Sequence, residues 1–158
     1  MSEQFMEDSK RQVIVLSLVE KMKEQGSWCG ETHIQKSLYF LQEMLKVPTD
    51  FDFVLYKHRP FSFDLRDELV VMRGNMLLEL HSNPYPYGPS HSPGPSAEKL
   101  KELYPKTAKK YEPQISFVAE KLSGLNVAGL ERLATALYVT LGEGEGRSIK
   151  SRANLLTN

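Results

Sequence analysis

The chain has 158 residues, enough for one domain with a sizeable core and an accessory part, and its 41% hydrophobic and 25% charged residues are ordinary for a globular protein. Its 20 basic and 20 acidic side chains cancel, so it lacks the strong positive excess of a domain that grips phosphates over a broad face. The balance is uneven: residues 1–95 hold 10 Lys and Arg against 13 Asp and Glu, and residues 96–158 hold 10 against 7.

The opening MSEQFMEDSKRQ is polar and acidic, with no apolar secretory core, so no signal peptide is expected. Residues 8–25 then read as a first helix. Val15, Leu18, Val19 and Met22 recur at helical spacing, and Gly26 ends the run. Thr32-His33-Ile34-Gln35 has the Thr-x-x-Gln form of a capping box, which predicts a second helix from Thr32 to about Val47, closed by Pro48. Its apolar stripe is Ile34, Leu38, Leu41 and Leu45.

Asp52-Phe53-Val54-Leu55-Tyr56 is short, β-branched and aromatic, and reads as a strand. Lys57-His58-Arg59 makes a basic corner, and Pro60 holds the next helix back. Ser62 is the expected N-cap of that third helix. Leu65, Leu69 and Met72 form its buried stripe, and Gly74-Asn75 ends it. A strand follows over Leu77–Leu80. Residues 82–96, SNPYPYGPSHSPGPS, hold five prolines and two glycines, which predicts an extended loop rather than helix or strand.

The remainder reads as helical: Ala97 to Tyr104, stopped by Pro105; a helix striped by Tyr111, Ile115, Val118 and Leu122; and a last helix capped by Asn126 with Leu130, Leu133, Leu137 and Leu141 inward. From Gly142 the glycine-bearing, polar sequence predicts a flexible tail. The expected fold class is therefore mainly α, in the α+β sense. A winged-helix-like core with a short β-sheet and a Pro-rich wing occupies residues 1–95, additional C-terminal helices pack on it over 96–141, and the tail covers 142–158.

GETHIQKSLYFLQEM, FDFVLYKHRPFSFDLRDEL, NMLLEL, YPYGPS and GLERLATALYV follow one another in an order that resembles small bacterial YwgA-like and Panacea-domain proteins, the latter including SocA-like antitoxins and proteolytic adaptors. The resemblance spans roughly residues 10–141, and its most specific element pairs Gln35-Lys36 and Tyr39 with the Tyr56…Pro60-Phe61-Ser62 corner. It implies a winged-helix-like scaffold that binds DNA or a protein, with no catalytic motif to carry over. Such proteins usually have glycine before that proline, where this chain has Arg59. The corner must then adopt a backbone that a Cβ tolerates.

Several residues are candidates for binding. In a DNA-binding protein the third helix would read bases, yet Asp64, Asp67 and Glu68 outnumber Arg66 and Arg73, whereas reading helices present Arg, Lys, Asn or Gln near a phosphate backbone. Lys57, His58 and Arg59, with Lys36 nearby, neutralise too few phosphates for more than weak, salt-sensitive DNA affinity, and they suit a partner's acidic patch or a solvated turn. Tyr85 and Tyr87, on a stiff loop, serve either to pin that loop or to anchor an interface. The four histidines lack metal spacing, and Cys29 has no CxxC partner, so neither a metal nor a cofactor is expected. Cys29 beside Trp28 reads as a small buried residue before it reads as a nucleophile.

These observations predict a cytoplasmic, non-enzymatic module that binds a protein partner, such as a cognate toxin, and no membrane. A DNA-binding regulator, with homodimer formation to supply the missing positive field, is the second reading, and a small hydrolase built on Cys29 the third. A protein target predicts an exposed apolar patch beside the basic corner or the tail. A DNA target predicts Lys36, Lys57, Arg59 and Arg73 on one continuous face.

Overall fold

A computed structural model describes residues 7–84 and 88–144. The described chain runs α1 (Asp8–Glu24), α2 (Glu31–Glu43), β1 (Val54–Tyr56), β2 (Arg59–Phe61), α3 (Phe63–Gly74), β3 (Leu78–His81), β4 (Ser90–Pro93), α4 (Ala97–Leu103), α5 (Pro105–Lys110), α6 (Glu112–Leu122) and α7 (Val127–Gly144). It is mainly helical, with two small antiparallel sheets, β1–β2 and β3–β4. None of the described helices is long and apolar enough to cross a membrane.

The core is built around α1. Val13, Ile14, Val15 and Leu16 are consecutive and all fully buried, so this helix is apolar nearly all round through its middle rather than striped. The reason is position: α2, α4, α5, α6 and β4 all pack on it. Each fully buried aliphatic side chain of this kind contributes about 1.5–3 kcal/mol. One continuous cluster joins α1 to Leu38 and Leu41 of α2, Leu65 and Leu69 of α3, Ile115 and Val118 of α6, and Leu130 and Ala134 of α7. The C-terminal helices thus share the core of the N-terminal part.

Helix α2 begins one residue earlier than its sequence suggests and without a capping box. Gly30 is the N-cap and makes no side-chain cap, Thr32 lies inside the helix, and Gln35 is drawn away to Ser62. The helix also ends at Glu43, short of Val47, because Gln42 turns the following loop back: it accepts from the Phe51 amide (2.7 Å) and the Thr49 hydroxyl (2.8 Å) and donates to the Phe51 carbonyl (2.8 Å).

Between Tyr56 and α3 the chain makes a strand that its sequence did not disclose. β2 pairs antiparallel with β1, Val54 with Phe61, Leu55 with Pro60 and Tyr56 with Arg59. The connection is the two-residue turn Lys57-His58, with both residues left-handed (φ 52° and 70°), as a tight hairpin requires. Arg59 itself is an ordinary strand residue, so its Cβ is tolerated; the unusual backbone falls on its two predecessors.

Part of the Pro-rich segment is also paired. Ser90–Pro93 forms β4 against β3, with Leu78 opposite Pro93 and His81 opposite Ser90. Pro93 is accepted here because it stands two residues from His91, whose N–H points away from β3 to the Cys29 carbonyl (2.9 Å), so no N–H toward β3 is needed at 93. Gly94 closes the pairing: its amide donates to the Leu77 carbonyl (2.9 Å), and a Cβ there would lie 2.8 Å from the carbonyl carbon of Met76. In α7, Asn126 caps as expected through the Gly129 amide (2.8 Å), but Leu133 faces solvent and Ala134 takes its place in the core. Leu137 and Leu141 are only half-buried. The helix continues to Gly144, past the expected start of the tail at Gly142; the rest of that tail lies outside the described residues.

Candidate functional site

The hairpin formed by β1 and β2 is held at both roots by one helix. Gln42 grips the Phe51 backbone, and seven residues earlier Gln35 grips Ser62, accepting from its amide (2.9 Å) and donating to its carbonyl (2.8 Å). Ser62 is fully buried, so these backbone groups need partners from within the protein. The Ser62 hydroxyl then caps α3 by accepting from the Leu65 amide (3.1 Å), as its sequence predicts, and also meets the Asp64 carboxylate. Lys36, next to Gln35, donates to the Pro60 carbonyl (2.6 Å).

The hairpin tip is fixed from the other side. Arg59 pairs with Glu131 of α7 (2.7 Å), and the Thr135 hydroxyl reaches the His58 carbonyl (3.4 Å). These contacts hold the left-handed Lys57-His58 turn against its strain. His58 and Arg59 line an open cleft of about 420 Å³ with Arg132 and Thr135.

What this clamped hairpin presents is aromatic. Tyr56, Phe61 and Phe63 form a triangle with ring centroids 5.0–5.6 Å apart. The Lys57 ammonium sits 5.3 Å from the Tyr56 ring, and the Arg66 guanidinium 5.0 Å from Phe63 and 5.8 Å from Phe61. Tyr56 is 42% exposed and Phe63 39%. The solvent face of α3 continues from Phe63 through Arg66 and Asp67 to Val70, at helical spacing, with Val70 and Val71 about half exposed.

Three sequence candidates are spent elsewhere. Lys36 is only 3% exposed, and burial pushes its pKa below the ordinary lysine value against the pull of Glu131. Arg59 is taken up by Glu131. Arg73 donates to Nε2 of His91 (2.9 Å), whose Nδ1 donates to the Cys29 carbonyl (3.0 Å), so it ties α3 to β4 and the α1–α2 link. Lys36, Lys57, Arg59 and Arg73 therefore do not form one face. Lys57 and Arg66 meet on the aromatic triangle, and His58 stands apart on the cleft. Tyr85 and Tyr87 lie outside the described residues.

The acids of α3 also divide. Glu68 is not on the solvent face: it is buried against α1, where it accepts from Arg11 (3.0 Å) and Gln12 (2.6 Å). Asp64 accepts from the Asp52 amide (3.2 Å) as well as meeting Ser62. The outward charges left uncommitted are Arg66 and Asp67, which balance. The sequence implied that carboxylates dominate this surface; apolar and aromatic groups do instead.

The aromatic triangle was missed because Tyr56 and Phe61 belong to different runs of sequence, brought together by a strand that was not foreseen. The readable signal was Phe63 one turn before Arg66, straight after a capping serine. Cys29 is fully buried, its thiol donates to the Val19 carbonyl (3.8 Å), and burial raises its pKa. Among the described residues no group of three or more His, Cys, Asp or Glu could hold a metal ion. No protein-family model matches this chain, and neither does any curated protein compared with it.

Proposed function

We propose that this chain is a non-enzymatic binding module whose target is a protein, engaged through the hairpin and the outward face of α3, in the manner of an antitoxin or adaptor. The observation that carries this reading is the triangle of Tyr56, Phe61 and Phe63, exposed at Tyr56 and Phe63 and flanked by Lys57 and Arg66. Aromatic rings with an arginine on a rigid support are what binding hot spots are made of, because little freedom is lost on contact. The rings border the basic corner, where a protein target calls for an apolar patch.

A winged-helix-like scaffold is part of the proposal. In its favour, α3 follows α2 and is itself followed at once by the β3–β4 hairpin, in the place of a wing. The resemblance to Panacea-domain proteins rests on Gln35, Lys36 and the Tyr56–Ser62 corner, which here touch through the Gln35–Ser62 and Lys36–Pro60 hydrogen bonds. A DNA-reading role fits less well, since Lys36, Arg59 and Arg73 are each committed inside the protein. A nucleophilic Cys29 fits least, its thiol being buried.

The test compares the wild type with Phe63→Asp and Arg66→Glu, both exposed substitutions that spare the core. Affinity capture from the native host is expected to retain a specific protein with the wild type and lose it with either variant. Strong, sequence-dependent retardation of DNA at moderate salt would reject the proposal.

A further inference from the structure

We infer that the free edge of β1 is a strand-docking site, which accepts an extended segment of the partner protein carrying alternate apolar residues, a carboxylate where it meets Lys57 and a cation where it meets Asp52. This rests on the reading of the hairpin and α3 as a protein-binding surface and specifies how the partner is held.

The argument begins with the phase of the hairpin. A two-residue turn makes Tyr56 and Arg59 a hydrogen-bonded pair, so Leu55 and Pro60, one step on, are a non-bonded pair whose backbone groups point away from each other. Pro60 confirms the phase. It has no N–H, and its carbonyl points away from β1 to receive Lys36. The outer edge of β2 is thus closed twice over, by a missing donor and by a capped acceptor, which is how edge strands are protected from pairing.

Among the described residues nothing equivalent closes β1. The N–H and C=O of Leu55 point outward, and none of the described residues supplies them with a hydrogen bond. Among the described elements, only β2 packs extensively on β1. Leu55 is half-buried toward the domain, while Val54 and Tyr56 stand exposed on the other face beside Phe61. An added strand would lay its own alternate side chains along those of Val54 and Tyr56 and against the aromatic triangle.

Charge fixes the occupant's polarity. Asp50 and Asp52 are exposed where the chain enters β1, and Lys57 is exposed where it leaves. A segment with a carboxylate at the Lys57 end and a cation at the Asp52 end is complementary, and the reverse orientation opposes like charges. The clamps at Ser62, Phe51 and Glu131 hold this edge in place before binding.

The test uses a displayed library of ten-residue peptides selected on the full chain, with Leu55→Pro as the discriminating variant. Proline at position 55 removes the outward N–H together with the half-buried leucine side chain, and is compatible with an edge strand. Selected peptides are expected to alternate apolar and polar residues with the stated charges. They should bind Leu55→Pro at least tenfold more weakly, and should slow hydrogen exchange at the Leu55 amide of the wild type. Leu55→Pro also weakens the hairpin itself, so the exchange measurement on the wild type decides independently. Failure to select such peptides, or selected peptides that leave the Leu55 amide exchanging freely, would overturn the inference. So would a Leu55 amide already protected in the free chain, whether by a second copy (protection lost on dilution) or by the chain's own tail (protection lost on removing residues 145–158). The host protein captured through Phe63 and Arg66 tests the underlying reading separately: its capture together with an unprotected Leu55 amide sinks this inference alone.

Discussion

Gln35 holds Ser62 by both of its backbone groups, an amide answering an amide across the gap between α2 and the start of α3. The bond fixes three things at once. It ends the hairpin, places the Ser62 hydroxyl to cap α3, and so sets where Phe63 and Arg66 stand. Gln42 does the same for Phe51 one heptad further along α2.

Replacing Gln35 with leucine leaves a buried N–H and a buried C=O with one partner fewer. The Ser62 C=O keeps the Arg66 amide (3.2 Å), so the orphaned Ser62 N–H sets the loss, about 1–3 kcal/mol of stability. Urea denaturation should show a lower midpoint with an unchanged slope. A loss below about 0.5 kcal/mol, on the scale of an ordinary surface substitution, would mean that the clamp does not hold the hairpin.

The Lys57-His58 turn offers a gain instead of a loss. Both residues are left-handed, a conformation that costs a side-chain-bearing residue about 1–2 kcal/mol. His58→Gly should therefore raise the melting temperature, because relief of about 1–2 kcal/mol exceeds the about 0.4–1 kcal/mol of extra freedom glycine has in the unfolded chain. Thermal melting followed by circular dichroism checks this. A destabilised variant would show that the histidine side chain contributes a contact that the turn depends on.

Stability should fall as pH drops below about 6.5. Burial lowers the pKa of both His33 and His91 from the ordinary value of 6.5, and Arg73 beside His91 pushes the same way, against the Cys29 carbonyl. The unfolded chain takes up protons at about 6.5 that the folded chain resists, so the unfolded state binds more protons and the free energy of unfolding decreases as the pH is lowered. Unfolding free energies at pH 7.5 and pH 5.5 test this, and His91→Gln should flatten the dependence.

Cys29 should resist alkylation in the native state, since its thiol is buried with a raised pKa. Iodoacetamide labelling near neutral pH is expected to follow unfolding, slowing as the fold is stabilised. Fast labelling of the native protein would revive the idea of a nucleophilic cysteine.

Helices were easier to read than strands, for identifiable reasons. The caps at Ser62 and Asn126 and the stop at Gly74-Asn75 are local chemistry, and they stand where the residues imply. β2 and β4 contain or adjoin prolines, which argue against strand in isolation; they pair because Pro60 and Pro93 stand where an N–H would point away from the partner strand. The buried roles of Lys36 and Glu68 depend on partners 24 and 56–57 residues away, Pro60 for the one and Gln12 and Arg11 for the other. No local pattern separates such residues from solvated charges. The candidate site was half visible: Lys57 and Arg66 were singled out, while the three rings between them became a surface only through the hairpin.

The most direct test of the central claim is photocrosslinking from position 63 in living cells, with benzoylphenylalanine in place of Phe63 and a control probe at the exposed Lys99 of α4. A protein target predicts a discrete, nuclease-resistant protein adduct from position 63 that the control does not give. A nuclease-sensitive adduct from position 63, or the same adducts from both positions, would contradict it.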